Sequence, residues 1–153
     1  MCTARKADLS LSHYVPIYTY EFNDQKAPSF TPFLPAPLPS LSFPLGAAHG
    51  VELQYLFNLG AFGIPAFTPD QQDQKRLSDT MIGYWTQFAK SGNPNGREGE
   101  ENQNEVDEEG TPNWPLYIGV GGHFASLTAP TSTTEPDSSF DTDHKCSSLW
   151  DTP

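Results

Sequence analysis

The residues in this chain best suited to moving protons near neutral pH are four histidines: His13, His49, His123 and His144. His13 closes an expected helix beside Tyr14, His123 lies in an expected hairpin, and His144 adjoins Lys145 and Cys146. None of these three has a second ligand at metal spacing, and His144 with Cys146 is too lone a pair for zinc, so structural or solvated roles are expected for them. His49 differs in its setting, Gly46-Ala47-Ala48-His49-Gly50-Val51-Glu52-Leu53, between a proline-rich loop and a short apolar helix. Small neighbours leave its ring room to reach another group, which suits a general base. Such a base needs a nucleophile, and the chain contains no Gly-x-Ser-x-Gly. Glu52 is placed to be tempting as the partner acid. A carboxylate in the first turn of a helix is, however, favoured there by exposed N–H groups and the helix dipole, so a structural cap is the expected role.

The elements around His49 read as follows. Residues 3–14 form a helix with an imperfect apolar face of Ala4, Leu9, Leu11 and Tyr14. Residues 15–22 are β-branched and aromatic with bulk on both faces, which predicts a central strand of a covered sheet, with Pro16 fitting only at its start. Prolines 28, 32, 35, 37, 39 and 44 then impose a loop. Its Phe30, Phe33, Leu34 and Phe43 favour pocket lining over an SH3-type Pro-x-x-Pro ligand. A short helix is expected over 51–59, ended by Gly60.

The best-punctuated element covers 69–91. Thr68-Pro69-Asp70-Gln71 offers a capping hydroxyl, a first-turn proline and a capping-box glutamine, and Ser91-Gly92-Asn93-Pro94 stops the helix. Leu77, Met81, Ile82, Trp85, Phe88 and Ala89 predict one buried stripe. Further on, 114–119 and 123–127 around Val120-Gly121-Gly122 read as a hairpin, 128–142 as a loop, and 143–151 as a closing helix.

At 153 residues the length suits one domain, but 36% hydrophobic residues, 15 prolines and 12 glycines describe apolar segments joined by long loops. A net charge of −11 with eight Lys plus Arg argues against a nucleic-acid partner. Seven acids lie between Glu98 and Glu109, so 97–110 reads as a disordered acidic insert without the ligand pattern of a calcium loop. No stretch is long and apolar enough for a membrane span, and the first residues carry no signal peptide. Cys2 and Cys146 are either two separate thiols or one disulfide closing nearly the whole chain.

Several motifs, in order, resemble the C-terminal region of the type-B carboxylesterases, the cholinesterase-like α/β-hydrolases. Tyr18-Thr19-Tyr20-Glu21-Phe22-Asn23 resembles their final-strand motif and 46–53 their histidine loop. Leu77-Ser78-Asp79-Thr80-Met81, Trp85 through Gly96, and Trp114-Pro115-Leu116-Tyr117 continue the match. The resemblance implies an α/β fold: the C-terminal portion of an α/β-hydrolase over 1–153, with an incomplete sheet. Last core strand, histidine loop, long amphipathic helix, small hairpin and closing helix follow in that order. It implies a serine esterase acting on small carboxylic esters without a cofactor, with His49 as catalytic base. It also implies a Cys2–Cys146 disulfide and an extracellular setting. Serine nucleophile, triad acid and oxyanion hole belong upstream, so these residues alone are expected to be inactive. The other expectation is a non-catalytic, cholinesterase-like interaction module, against which the imidazole in that loop argues.

Overall fold

The computed structural model describes residues 2–28, 45–57, 67–95 and 112–150. The proline-rich stretch 29–44, the end of the expected helix 51–59 with its Gly60 stop, and the acidic insert 97–110 lie outside the described residues. The elements are α1 (Cys2–Leu11), β1 (Tyr20–Phe22), α2 (Leu53–Leu56), α3 (Gln72–Ser91), β2 (His123–Leu127), β3 (Thr133–Pro136), α4 (Asp137–His144) and a π-helical turn, Cys146–Trp150. Among the described residues the strands form one mixed sheet of order β1-β2-β3. The Ala125 amide donates to the Thr19 carbonyl (3.1 Å) and the Asn23 amide to that of Leu127 (2.8 Å). Both numbers rise together, so β1 and β2 run parallel. β2 and β3 are antiparallel, with His123 opposite Pro136 and Ser126 opposite Thr133.

The chain groups into two compact units, one of residues 1–21, 98–126 and 133–153, the other of 22–97 and 127–132. In the first, Trp114, Tyr117, Phe124, Ala125 and Cys146 are buried. Cys2 and Cys146 are disulfide-bonded, with Cα atoms 5.3 Å apart. Beside that link Arg5 grips Asp137 with two charge-assisted bonds (2.9 and 2.6 Å), and the Tyr117 hydroxyl donates to the same carboxylate (2.7 Å). Burial pushes the Asp137 carboxyl upward, but the Arg5 and Tyr117 bonds outweigh it and hold it below the usual carboxylate value. Burial pushes the Tyr117 phenol up, and its bond to Asp137 adds to the rise. His144 meets Glu21 at 2.8 Å and packs against Phe140, which meets Phe124 edge-on.

The second unit is built on α3, which buries Gln74, Leu77, Ser78, Met81 and Tyr84. Val51, Tyr55 and Leu127 complete its core. Gly92 ends α3 in the left-handed region (φ 76°), its amide donating to the Phe88 carbonyl at 2.7 Å.

Four expectations change. The buried face of α3 turns toward Gln74, Ser78 and Tyr84, leaving Ile82 and Phe88 exposed; among the described residues the helix it packs on is the short α2. The hairpin pairs 123–127 with 133–136 rather than with 114–119. Pro115 has no N–H for a ladder, and 114–117 lies along 17–19 instead: the Trp114 indole donates to the Thr19 carbonyl (2.8 Å) and the Tyr117 amide to that of Ile17 (2.8 Å). Thr133–Pro136 has polar residues because it is an edge strand with exposed positions at both ends. The closing helix starts earlier, as α4, and breaks at Lys145, whose left-handed φ of 55° separates it from the π-helical turn. The expected strand 15–22 is regular only over Tyr20–Phe22, where it is a sheet edge among the described residues.

Candidate functional site

His49 is exposed at the head of a tight, hydrogen-bonded turn. Two glycines make this backbone path possible: Gly46, buried, at φ 56°, and Gly50 at φ 85°, both in the left-handed region that favours glycine. The Val51 amide closes the turn on the Ala48 carbonyl (3.1 Å). The Leu53 amide then bonds the Gly50 carbonyl (3.3 Å), and the Tyr55 amide that of Glu52 (3.0 Å). The result is a ladder leading into the four-residue helix α2. Val51, two residues after His49, is fully buried and roots the turn. His49 itself is exposed, while Gly46 and Val51 on either side of it are buried.

Glu52 occupies the N-cap position of α2 with helical φ and ψ, yet its side chain makes no capping hydrogen bond. The expected side-chain cap is thus replaced by its carbonyl, which accepts from the Tyr55 and Leu56 amides. Among the described residues no carboxylate or serine hydroxyl is hydrogen-bonded to the His49 ring, and no three His, Cys, Asp or Glu side chains converge as metal ligands. His144 is engaged by Glu21, a structural contact away from the His49 turn in the sequence. His13 and His123 are exposed.

The strongest polar cluster near the turn is one the sequence does not announce. Asp24, 1% exposed, accepts from the Tyr55 hydroxyl (2.7 Å), the Gln74 amide (3.3 Å) and the Lys26 backbone N–H (2.9 Å). The Ser78 hydroxyl donates to the Tyr55 carbonyl at 2.6 Å. Burial, then the bond to Asp24, pushes the Tyr55 phenol far above its ordinary value, so it stays protonated and remains a donor. Asp24 lies just past the expected strand 15–22, and Tyr55 lies within the expected helix 51–59. A single sequence carries no signal that a turn aspartate is buried.

The carboxylesterase family model matches residues 2–144. Among curated proteins, the chain is 35% identical over 117 residues to a cocaine esterase of Oryctolagus cuniculus, covering 76% of this chain and 18% of that protein. It is 32% identical over 113 residues to the Homo sapiens cocaine esterase, covering 71% of this chain and 16% of the relative. An acetylcholinesterase of Bungarus fasciatus matches at 29% over 92 residues, 60% of this chain and 13% of that one. Among solved structures, a PNB esterase superposes with a TM-score of 0.57 at 25% identity, covering 91% of this chain and 23% of the other. The chain therefore spans under a fifth of the length of the curated relatives it matches. With the family model covering nearly every residue, and a solved esterase sharing the fold, this chain belongs to the carboxylesterase family.

Proposed function

We propose that this chain is the C-terminal segment of a serine carboxylic-ester hydrolase and supplies its catalytic base, His49. The observation that carries the reading is the His49 turn itself. The order strand, loop, histidine, helix is that of an α/β-hydrolase ending. The imidazole is exposed while the flanking Gly46 and Val51 are buried. In the complete enzyme the nucleophilic serine, the triad acid and the oxyanion-hole donors come from upstream sequence, and the open edge of β1 is where further strands pair. His49 takes the serine proton as the hydroxyl attacks the ester carbonyl. It gives that proton to the leaving alcohol, then draws one from water to release the acyl group. The substrate is a small carboxylic ester, in keeping with the esterases this chain resembles. The Cys2–Cys146 disulfide favours an oxidising, extracellular compartment.

Fluorophosphonate labelling tests this reading. The 153-residue chain is expected to show neither labelling nor saturable hydrolysis of a nitrophenyl ester, because the dominant catalytic groups are missing. A product extended upstream through a Gly-x-Ser-x-Gly is expected to show both. Stoichiometric labelling of one serine in the 153-residue chain would overturn the proposal.

A further inference from the structure

We propose that Asp24 is the positioning residue of the His49 turn and acts through Tyr55. Its consequence for catalysis rests on the reading of His49 as the base.

A four-residue helix has too few internal hydrogen bonds to hold its own place, so something else must fix α2 and the turn before it. Glu52 is not that brace, since its side chain makes no cap bond. Tyr55 is held at three points instead. Its ring packs edge-on between Phe22 and Phe67, each with ring centres 4.9 Å away. Its carbonyl accepts from Ser78 on α3, and its hydroxyl donates to Asp24. From Tyr55 the main-chain bonds run back to Glu52, from Leu53 to Gly50 and from Val51 to Ala48, so they hold the residues on either side of His49.

Asp24 makes this anchor specific. Its carboxylate gathers donors from three segments: the turn after β1 (Lys26 N–H), α2 (Tyr55) and α3 (Gln74). Among the described residues no cation pairs with it. Burying a carboxylate among neutral donors is costly, and apolar packing would hold two helices together without that cost. What the carboxylate adds is direction. The Tyr55 phenol must point at one oxygen, and this fixes the rotation of α2 and the bearing of the turn ahead of it. A general base tolerates little misplacement, since an error of about 1 Å can cost ~100-fold in rate.

The test compares Asp24→Asn and Tyr55→Phe in the full chain by residue-resolved amide hydrogen exchange. Tyr55→Phe keeps the ring packing, so it remains informative if Asp24→Asn fails to fold. The expected result is about a tenfold or greater loss of protection at the Val51, Leu53 and Tyr55 amides in either variant. At these amides the double variant should lose no more than Asp24→Asn alone, because Tyr55→Phe removes only the bond that Asp24 already holds. Protection in α1 and β2 should be unchanged. Unaltered exchange at those three amides, or a uniform rise that includes α1 and β2, would overturn the proposal. In an upstream-extended enzyme, both variants should lower kcat at least tenfold and leave KM within about twofold. An unchanged kcat in a His49→Ala enzyme would remove the catalytic reading while leaving the exchange result intact. An inactive His49→Ala enzyme with unaltered exchange in the Asp24 and Tyr55 variants would remove the positioning role alone.

Discussion

Replacing both Cys2 and Cys146 with alanine should destabilise the chain severely, and the size follows from where the two cysteines lie. They are 144 residues apart in sequence, so the bond closes almost the entire chain into one loop. Chain-entropy accounting for a loop of that length gives about 5 kcal/mol at 25 °C, acting by restricting the unfolded ensemble. A domain has only ~5–15 kcal/mol in total, so this link is a third or more of its stability. The Arg5–Asp137 ion pair ties α1 to the neighbouring α4 but vanishes on unfolding, so it cannot replace the cross-link. Urea unfolding followed by the fluorescence of buried Trp114 measures the loss. With a slope of ~2 kcal/mol per molar, the midpoint should fall by about 2.5 M, and the slope itself should steepen as the freed chain expands. Wild-type protein under strong reductant should behave like the double variant. A midpoint shift under about 0.3 M, with the slope unchanged, would refute the reasoning.

Other consequences are narrower. Arg5→Ala leaves Asp137, 3% exposed, with Tyr117 as its remaining side-chain partner, and should cost about 2–4 kcal/mol in urea unfolding; Arg5→Lys should recover only part, having no fork to match the carboxylate. Because the folded Asp137 carboxyl is held below its unfolded value, its contribution is full above about pH 3.9 and disappears as pH falls through the lowered folded value. The stability difference between wild type and Asp137→Asn should accordingly be flat from neutral pH to about pH 4 and collapse below it. Met81→Ala, at a fully buried position of α3, should cost about 2–5 kcal/mol, while Ile82→Ala, at 40% exposure, should cost under about 1 kcal/mol. Equal losses at the two positions would restore the stripe read from the sequence.

What was legible in the residues was whatever local chemistry enforces. The Gly92 stop of α3 follows from a backbone that only glycine adopts cheaply; the first helix, expected over 3–14, forms over Cys2–Leu11, and the Leu11 and Tyr14 of its expected apolar face are exposed. The pairing of Cys2 with Cys146 came from family resemblance, and the structure contains it. The errors share one cause, that periodicity cannot name a partner. Residues 114–119 have strand-like residues, yet they lie along 17–19 through isolated bonds, while the polar 133–136 takes the place beside β2. The α3 stripe was read from apolar residues alone, and Gln74 and Ser78 are buried because each has a polar partner, Asp24 and the Tyr55 carbonyl. For the site, His49 stood out by its small neighbours, whereas Asp24 and Tyr55 act through a contact 31 residues apart that no local pattern foretells.

The central claim, that His49 is the base of an ester hydrolase, is tested most directly by His49→Gln in an enzyme extended upstream to include the serine and the acid. The residue is exposed on its turn, so the substitution should leave the unfolding midpoint within about 1 °C of wild type. Loss of the base should lower kcat by ~10⁴ or more while the serine remains in place. Retention of a tenth of wild-type turnover by the folded variant would show that another group takes the serine proton.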